Sequence, residues 1–271
     1  MDIMGVQIPD RARYLRTIWM ELSRMHSHLL WLGLLADAFG YESLFYHCWR
    51  IREQILDMIE ESTGGRVIFS VNKVGGVMKD MDAQMLGRFV EKLGDVEDQI
   101  TGIRKNFLGD KTVQMRLRGV GVLTKQQAHD LGCAGPFGRA SGIATDMRTR
   151  GYGAYSELEF EPIISNDGDS YARCQCRIDE LFQSIDLIRQ AASAIPAGDL
   201  FVPVKGNPDG EYFMRIEQPR GEAVYYVKGT GKPYLNRLRI RTPTFANLPG
   251  LCEISVIMTQ SINSFTLNKH L

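Results

Sequence analysis

Pro219-Arg220-Gly221-Glu222 places a residue of fixed φ, a permanent cation, a flexible residue and an acid in one short reversal. Proline stiffens the base of the arginine. A stiff base can hold a guanidinium at a fixed point, where it polarises a bound species or stabilises charge that develops on it. The same residue types also make an ordinary hairpin corner, and composition leaves both readings open. A second stretch, "GPFGRASGIATDMR" from Gly135 to Arg148, combines small residues with Arg139, Asp146 and Arg148. Small residues let backbone approach backbone or a cofactor, and the charged three could form a buried network, although a plain structural loop fits the composition as well. A buried Arg220 needs a partner, because an unpaired buried guanidinium costs several kcal/mol. Asp146 is one candidate partner and Asp37 a second.

Soft-metal chemistry has weaker support. Cys48, Cys133, Cys174, Cys176 and Cys252 are odd in number, irregular in spacing and contain no C-x-x-C pair. Cys174 and Cys176 lie two apart on an expected helix, so their thiols diverge, and His26 and His28 diverge for the same reason. These read as structural, and His129 as a surface residue. No metal site is expected from the residues alone. The cysteine pattern with no preceding signal peptide points to a reducing compartment rather than a disulfide framework.

These residues must be positioned by the rest of a chain of 271 residues, 44% of them apolar, which supports a sizeable core. Lys+Arg and Asp+Glu are both 32. That balance argues against a nucleic-acid binder, and a neutral surface is prone to association with partners. No run approaches the 18 apolar residues of a membrane span; the best, Leu29 to Ala36, ends at Asp37.

Leu15, Ile18, Trp19, Leu22, Met25, Leu29 and Leu32 recur at helical spacing and predict a helix over 10–37. Further helices are expected over 43–63, stopped by Gly64-Gly65, over 82–107, and over 169–195, ended by Pro196. Thr124 caps a short helix that Gly132 ends. "RVIFSVNKVGG" reads as a short extended segment with a glycine turn. Residues 133–168 read as irregular, the hairpin around 219–222 as two strands, then "RLRIRTPTF", then an apolar tail. The expected fold class is α+β, mainly α, with a small antiparallel sheet in one domain over 1–271. The apolar stripes of 10–37 and 82–107 are expected to pack on each other, with the 219–221 turn facing a cavity near the 133–148 loop.

Taken together, the motifs become specific. "PDRARYLRTIWMELSRMHSHLLWLG", "WRIREQILDMIEESTGGR", "VGGVMKD", "RGVGVL", "GPFGRASG", "GDSYARCQCRIDELFQSI", "EQPRGEAVYYV" and "RIRTPTFANL" follow one another over about nine-tenths of the chain. This series resembles one superfamily. It contains the large subunits of energy-converting, Ech-type nickel–iron hydrogenases and the quinone-pocket protein, or D subunit, of respiratory complex I (NADH-quinone oxidoreductase). The segment "SHLLWLGLLADAFGYESLF" leans toward the hydrogenase branch, and a histidine of the complex I branch that would fall near Ile68 is absent.

The resemblance implies a role for the opening turn. In the hydrogenases a Pro-Arg-Gly turn holds an arginine over the nickel–iron centre, where it assists heterolytic hydrogen splitting; Pro219 and Arg220 match it. In the complex I branch the turn contributes to a polar lining beside the quinone pocket, for which Arg139, Asp146 and Asp37 are candidates here. The resemblance further implies an electron-transfer subunit bound to a small iron–sulfur subunit and to membrane subunits, peripheral on the cytoplasmic face of the membrane. NAD and quinone would enter through the whole complex, since no dinucleotide motif follows a strand. The family's two cysteine motifs, which bind nickel and iron, have no counterpart in this sequence. The chain as written is therefore expected to hold no nickel–iron centre and to be truncated at both ends. The competing reading is a metal-free scaffold subunit of such a complex.

Overall fold

The computed structural model describes residues 2–267, with side chains over 3–255. Eight α-helices and two small antiparallel sheets occur among these residues, the mainly α, α+β class expected. The last residues of the apolar tail, 268–271, lie outside the described residues.

The first helix, α1 (Asp10–Ala38), follows Pro9, whose extended ψ starts the chain into the helix. Its apolar series becomes core: Leu15, Ile18, Leu22, Met25, Leu29 and Leu32 are fully buried. A turn at Gly40 leads to α2 (Glu42–Thr63), which ends on Gly64. The next segment is extended for only two short pieces, β1 (Asn72–Lys73) and β2 (Gly76–Val77), paired antiparallel. Asp82 caps α3 (Ala83–Gly109) by accepting from Met85 N at 2.7 Å. Then come α4 (Lys111–Leu117) and α5 (Lys125–Asp130), the latter with a reciprocal Thr124–Gln127 capping box.

The long helices of the expected 10–37 and 82–107 pair are not paired with each other. Helix α1 packs against α2 and the later α7 (Ser170–Ala194), and α3 packs against the same two. Both stripes are buried in one core, as their period requires, but two other helices stand between them. Apolar period shows which face is covered, not which neighbour covers it. The stretch 133–168 is less irregular than expected: it holds α6 (Gly135–Arg139) and the short 3-10 turns Met147–Arg150 and Tyr155–Glu157.

The hairpin forms β3 (Asp209–Gln218) and β4 (Gly221–Thr230), with Gln218 opposite Gly221. Strand β5 (Arg237–Arg241) adds to β4, giving the order β3-β4-β5. The tail after it is helical from the start: α8 (Pro243–Leu267) contains Pro249, which forgoes one backbone donor without ending the helix.

Candidate functional site

A buried ionic cluster lies between α1, α7, the 133–148 segment and the end of β3. Glu21, Arg24 and His28 are three and four residues apart, so α1 turns them to one face. Glu180 comes from α7, Arg139 from α6, Asp146 and Arg148 from the segment that follows, and Glu217 from β3. All are at most 4% exposed. Charges buried this deeply are tolerable only when paired and hydrogen-bonded.

Arg139 is the hub. It contacts Glu180 at 2.7 Å, Glu217 at 2.8 Å and Asp146 at 3.5 Å. Arg148 Nη2 reaches Asp146 at 2.8 Å, and its Nη1 lies 3.4 Å from Glu21. Arg24 contacts Glu21 at 3.2 Å and donates to the carbonyls of Glu217 and Gln218 at 3.2 and 3.3 Å. Glu21 also accepts from Ser184 at 2.7 Å and from Tyr155. Met147 N donates to the second Glu217 oxygen at 3.0 Å, and Glu217 N donates to the Tyr152 hydroxyl at 2.9 Å.

These contacts set the charge states. Burial opposes ionisation of Glu180 and Glu21. Arg139 on the one, and Arg24 with Arg148 on the other, more than offset it and hold both below the usual carboxylate range. Asp146 is also lowered, against its burial, by Arg148 and Arg139. Glu217 goes the other way: burial and the neighbouring Asp146 push it up despite Arg139.

His28 Nε2 stands 2.7 Å from Glu180 Oε2. Burial pulls His28 down to about 4 in spite of that carboxylate, so at neutral pH the imidazole is neutral and donates to Glu180. The unfolded chain takes up a proton here near pH 6.5, the folded chain only near 4. The contribution of His28 to stability is therefore complete above 6.5 and is lost as pH falls toward 4. It amounts to roughly 3 kcal/mol at about 1.4 kcal/mol per pH unit. Urea titrations at pH 7 and 4.5 should show this loss together with that of His26, which burial also lowers to about 4, so His28→Gln should remove roughly half of the combined histidine loss; an equal loss in both proteins would refute the assignment.

The Pro219–Gly221 turn sits against the start of α6. Gly135 (φ +66°) and Gly221 (φ +123°) meet backbone to backbone: a Cβ on Gly135 would lie 2.2 Å from Gly221 Cα. Only glycine allows both the conformation and the approach. Asn247 of α8 ties the two segments, accepting from Ala134 N at 2.8 Å and donating to the Ala134 and Arg220 carbonyls at 3.2 and 3.5 Å. A cleft of about 190 Å³ opens beside the contact, with Cys133, Gly135, Thr145, Glu217, Glu222 and Arg241 among its walls.

The turn therefore lies beside the 133–148 loop. Arg220 is exposed, and among the described residues its guanidinium has no ion-pair partner. Asp146 does not serve it, because Arg148 and Arg139 occupy that carboxylate. Asp37 does not join the cluster either. It is exposed near the end of α1, about 14 Å along the axis from His28. Its position beyond the last buried polar turn of the helix leaves it in solvent. Arg139, Asp146 and Arg148 do form the network that composition allowed. Glu21, Arg24, Glu180 and Glu217 were missed. The signal for the α1 pair was in the chain: Glu21, Arg24 and His28 interrupt an apolar helix at i, i+3 and i+7.

The described residues do not fit a nickel–iron centre. Four of the five cysteines are buried, none is in a disulfide, and among the described residues no group of three or more His, Cys, Asp or Glu side chains is arranged to hold a metal ion. Burial pushes the Cys48 and Cys176 thiols up to about 12, which keeps them protonated when no metal cation lies beside them. A quinone oxygen is a different matter, because the exposed Arg220 guanidinium is a set of N–H donors of the type it accepts from.

Residues 38–207 and 204–260 match the family model described as the respiratory-chain NADH dehydrogenase 49 kDa subunit. The chain is 37% identical over 243 residues to the fused C/D subunit of NADH-quinone oxidoreductase from Bacteroides fragilis, covering 88% of this chain and 46% of that protein. It is 36% identical to the alpha subunit of the membrane-bound hydrogenase of Pyrococcus furiosus, covering 91% and 62%. It is also 36% identical to the D subunit of F(420)H(2) dehydrogenase from Methanosarcina mazei, covering 92% and 69%. The chain thus spans about half to two-thirds of the length of these curated relatives. No helix among the described residues is long and apolar enough to cross a membrane.

Proposed function

The chain belongs to the family of the respiratory-chain NADH dehydrogenase 49 kDa subunit, and from that premise we propose that it is an electron-transfer oxidoreductase subunit whose Pro219-Arg220-Gly221 turn presents a guanidinium to a reacting group at its surface. The observation that carries this is the seating of the turn. Two glycines and Asn247 lock its backbone to the start of α6, while among the described residues the Arg220 side chain has no counter-ion. A locked backbone fixes where the arginine is anchored, so less reorganisation is needed to bring its free donors to negative charge that develops beside the turn.

The reacting group is proposed to be a quinone or another acceptor of electrons from a small iron–sulfur subunit. That group would supply the redox chemistry. The chain's own part is to hold Arg220 where its N–H groups meet the developing charge, and to keep the turn rigid through the buried cluster beneath it. Relatives named as subunits of a membrane-bound hydrogenase and of quinone- and F420H2-linked enzymes support assembly into a complex. We place the chain peripherally on the cytoplasmic face of the membrane in such a complex.

Arg220→Ala in the assembled enzyme tests this. Arg220 is exposed, so folding should change by no more than about 0.5 kcal/mol. Turnover should fall by roughly 10²–10³, the cost of removing one preorganised donor from developing charge, with Arg220→Lys recovering part. Turnover within twofold of the parent in Arg220→Ala would leave the turn as plain hairpin chemistry and the chain as a scaffold.

A further inference from the structure

Glu217 is the one acid of the cluster that also lines the cleft beside the Arg220 turn. The other three acids, Glu21, Asp146 and Glu180, are enclosed by α1, α7 and the 145–148 segment. Counting only groups in contact, four carboxylates (Glu21, Asp146, Glu180, Glu217) face three guanidiniums (Arg24, Arg139, Arg148). The crowding is worst at Arg139, where three carboxylates share one cation. Like charges confined this closely do not all ionise together at ordinary affinity.

The neighbours of Glu217 decide which member takes the proton. Toward it, α6 presents Arg139; the next segment presents Asp146 and the Met147 N–H; Tyr152 binds its backbone N–H. Arg148 is engaged by Asp146, and Arg24 is directed at the Glu217 carbonyl rather than its carboxylate. The neutral His28 faces Glu180. The next cation on α7, Arg177, donates to the Arg173 carbonyl and stacks on Trp31, and its charge acts on Glu180 and His28. In the cleft, Glu222 is matched by Arg241, His129 is exposed and beside Asp130, and Cys133 is a thiol raised by burial. Glu217 is thus the least compensated acid and the one in contact with the outside.

We infer that Glu217 is the proton-exchanging group of the buried cluster, a carboxyl that takes a proton from the cleft and returns it there. An O–H bond forms at a Glu217 oxygen as one breaks in hydronium or in an acid lodged in the cleft. Nothing is oxidised or reduced. The exchange goes beyond the redox reading and does not depend on it: it follows from where the carboxylates lie. It would let a change of charge near the turn be balanced by one proton taken up a few residues away.

Infrared titration of the full chain, with glutamate side chains 13C-labelled, tests the inference. The wild type should show a carbonyl band of a protonated glutamic acid that titrates above the ordinary midpoint of about 4.3. The band should vanish in Glu217→Gln, which keeps an acceptor for Met147 N–H. In Glu180→Gln, one competitor for Arg139 is gone, and the midpoint should fall by about one pH unit, a tenfold weaker proton affinity. A merely structural ion pair would give no such shift. A midpoint at or below 4.3 in the wild type, or a band that survives Glu217→Gln, overturns the assignment. If Glu217→Gln fails to fold, the wild-type titration and the Glu180→Gln shift still decide it.

Discussion

Arg139→Met is expected to bring the protein to the edge of unfolding. Methionine fills similar space but removes the one cation that Glu180, Glu217 and Asp146 share. Asp146 keeps Arg148, and Glu180 keeps His28. Glu217 keeps only a backbone N–H. Breaking a buried pair from one side costs about 3–5 kcal/mol, because the remaining charge stays out of water without compensation. More than one acid is left in that state here, and a domain's whole stability is only about 5–15 kcal/mol. The origin of the loss is checkable: adding Glu180→Gln and Glu217→Gln to Arg139→Met should restore part of it, since amides carry no charge to bury. Circular dichroism and urea unfolding would measure all three proteins. An Arg139→Met midpoint within about 1 kcal/mol of the parent would mean that the cluster is held by something other than these ion pairs.

The second large effect is expected from Gly135→Ala. One methyl would stand 2.2 Å from Gly221 Cα and 2.7 Å from the Arg220 carbonyl oxygen, both backbone atoms that cannot rotate away. It would also impose about 1–2 kcal/mol for a side chain at positive φ. With overpacking of about 1–3 kcal/mol added, the total is about 2–5 kcal/mol unless the turn and the loop separate. Separation would carry Arg220 off its mount, so turnover should drop along with stability. Ala134→Gly, one residue away, alters the same loop without placing an atom in the contact and should do neither to that extent. Gly135→Ala at parental stability and turnover would show that the turn is not seated on α6 in the working protein.

Much of the scaffold was legible because its signals are local. The cap at Thr124, the stops at Gly64, Gly132 and Pro196, and the 3.6-residue apolar period of α1 and α3 each act within a few residues of chain. Helix α8 was read only as an apolar tail, and its internal Pro249 does not end it. The pairing of 10–37 with 82–107 was misread because a buried stripe carries no record of its neighbour. At the site, the arginine turn and the glycine-rich segment were singled out by residue type, and they do lie together. Arg220 is exposed, so the partner that burial would have required, for which Asp146 and Asp37 were the candidates, is not called for, and Asp146 is engaged by Arg148 two residues away.

The sequence by itself determined the class of fold, the approximate limits of α1, α2, α3 and α7, the family and the residue types at the turn, since each is encoded by spacing along the chain. Only the tertiary structure decided that Glu217 meets Arg139 across 78 residues, and that Glu21, His28 and Glu180 join them between α1 and α7. The physical reason is desolvation. A carboxylate in an amphipathic helix reads as a solvated face until packing removes the water. From then on its energy, charge state and role depend on which cations the fold brings within about 3 Å.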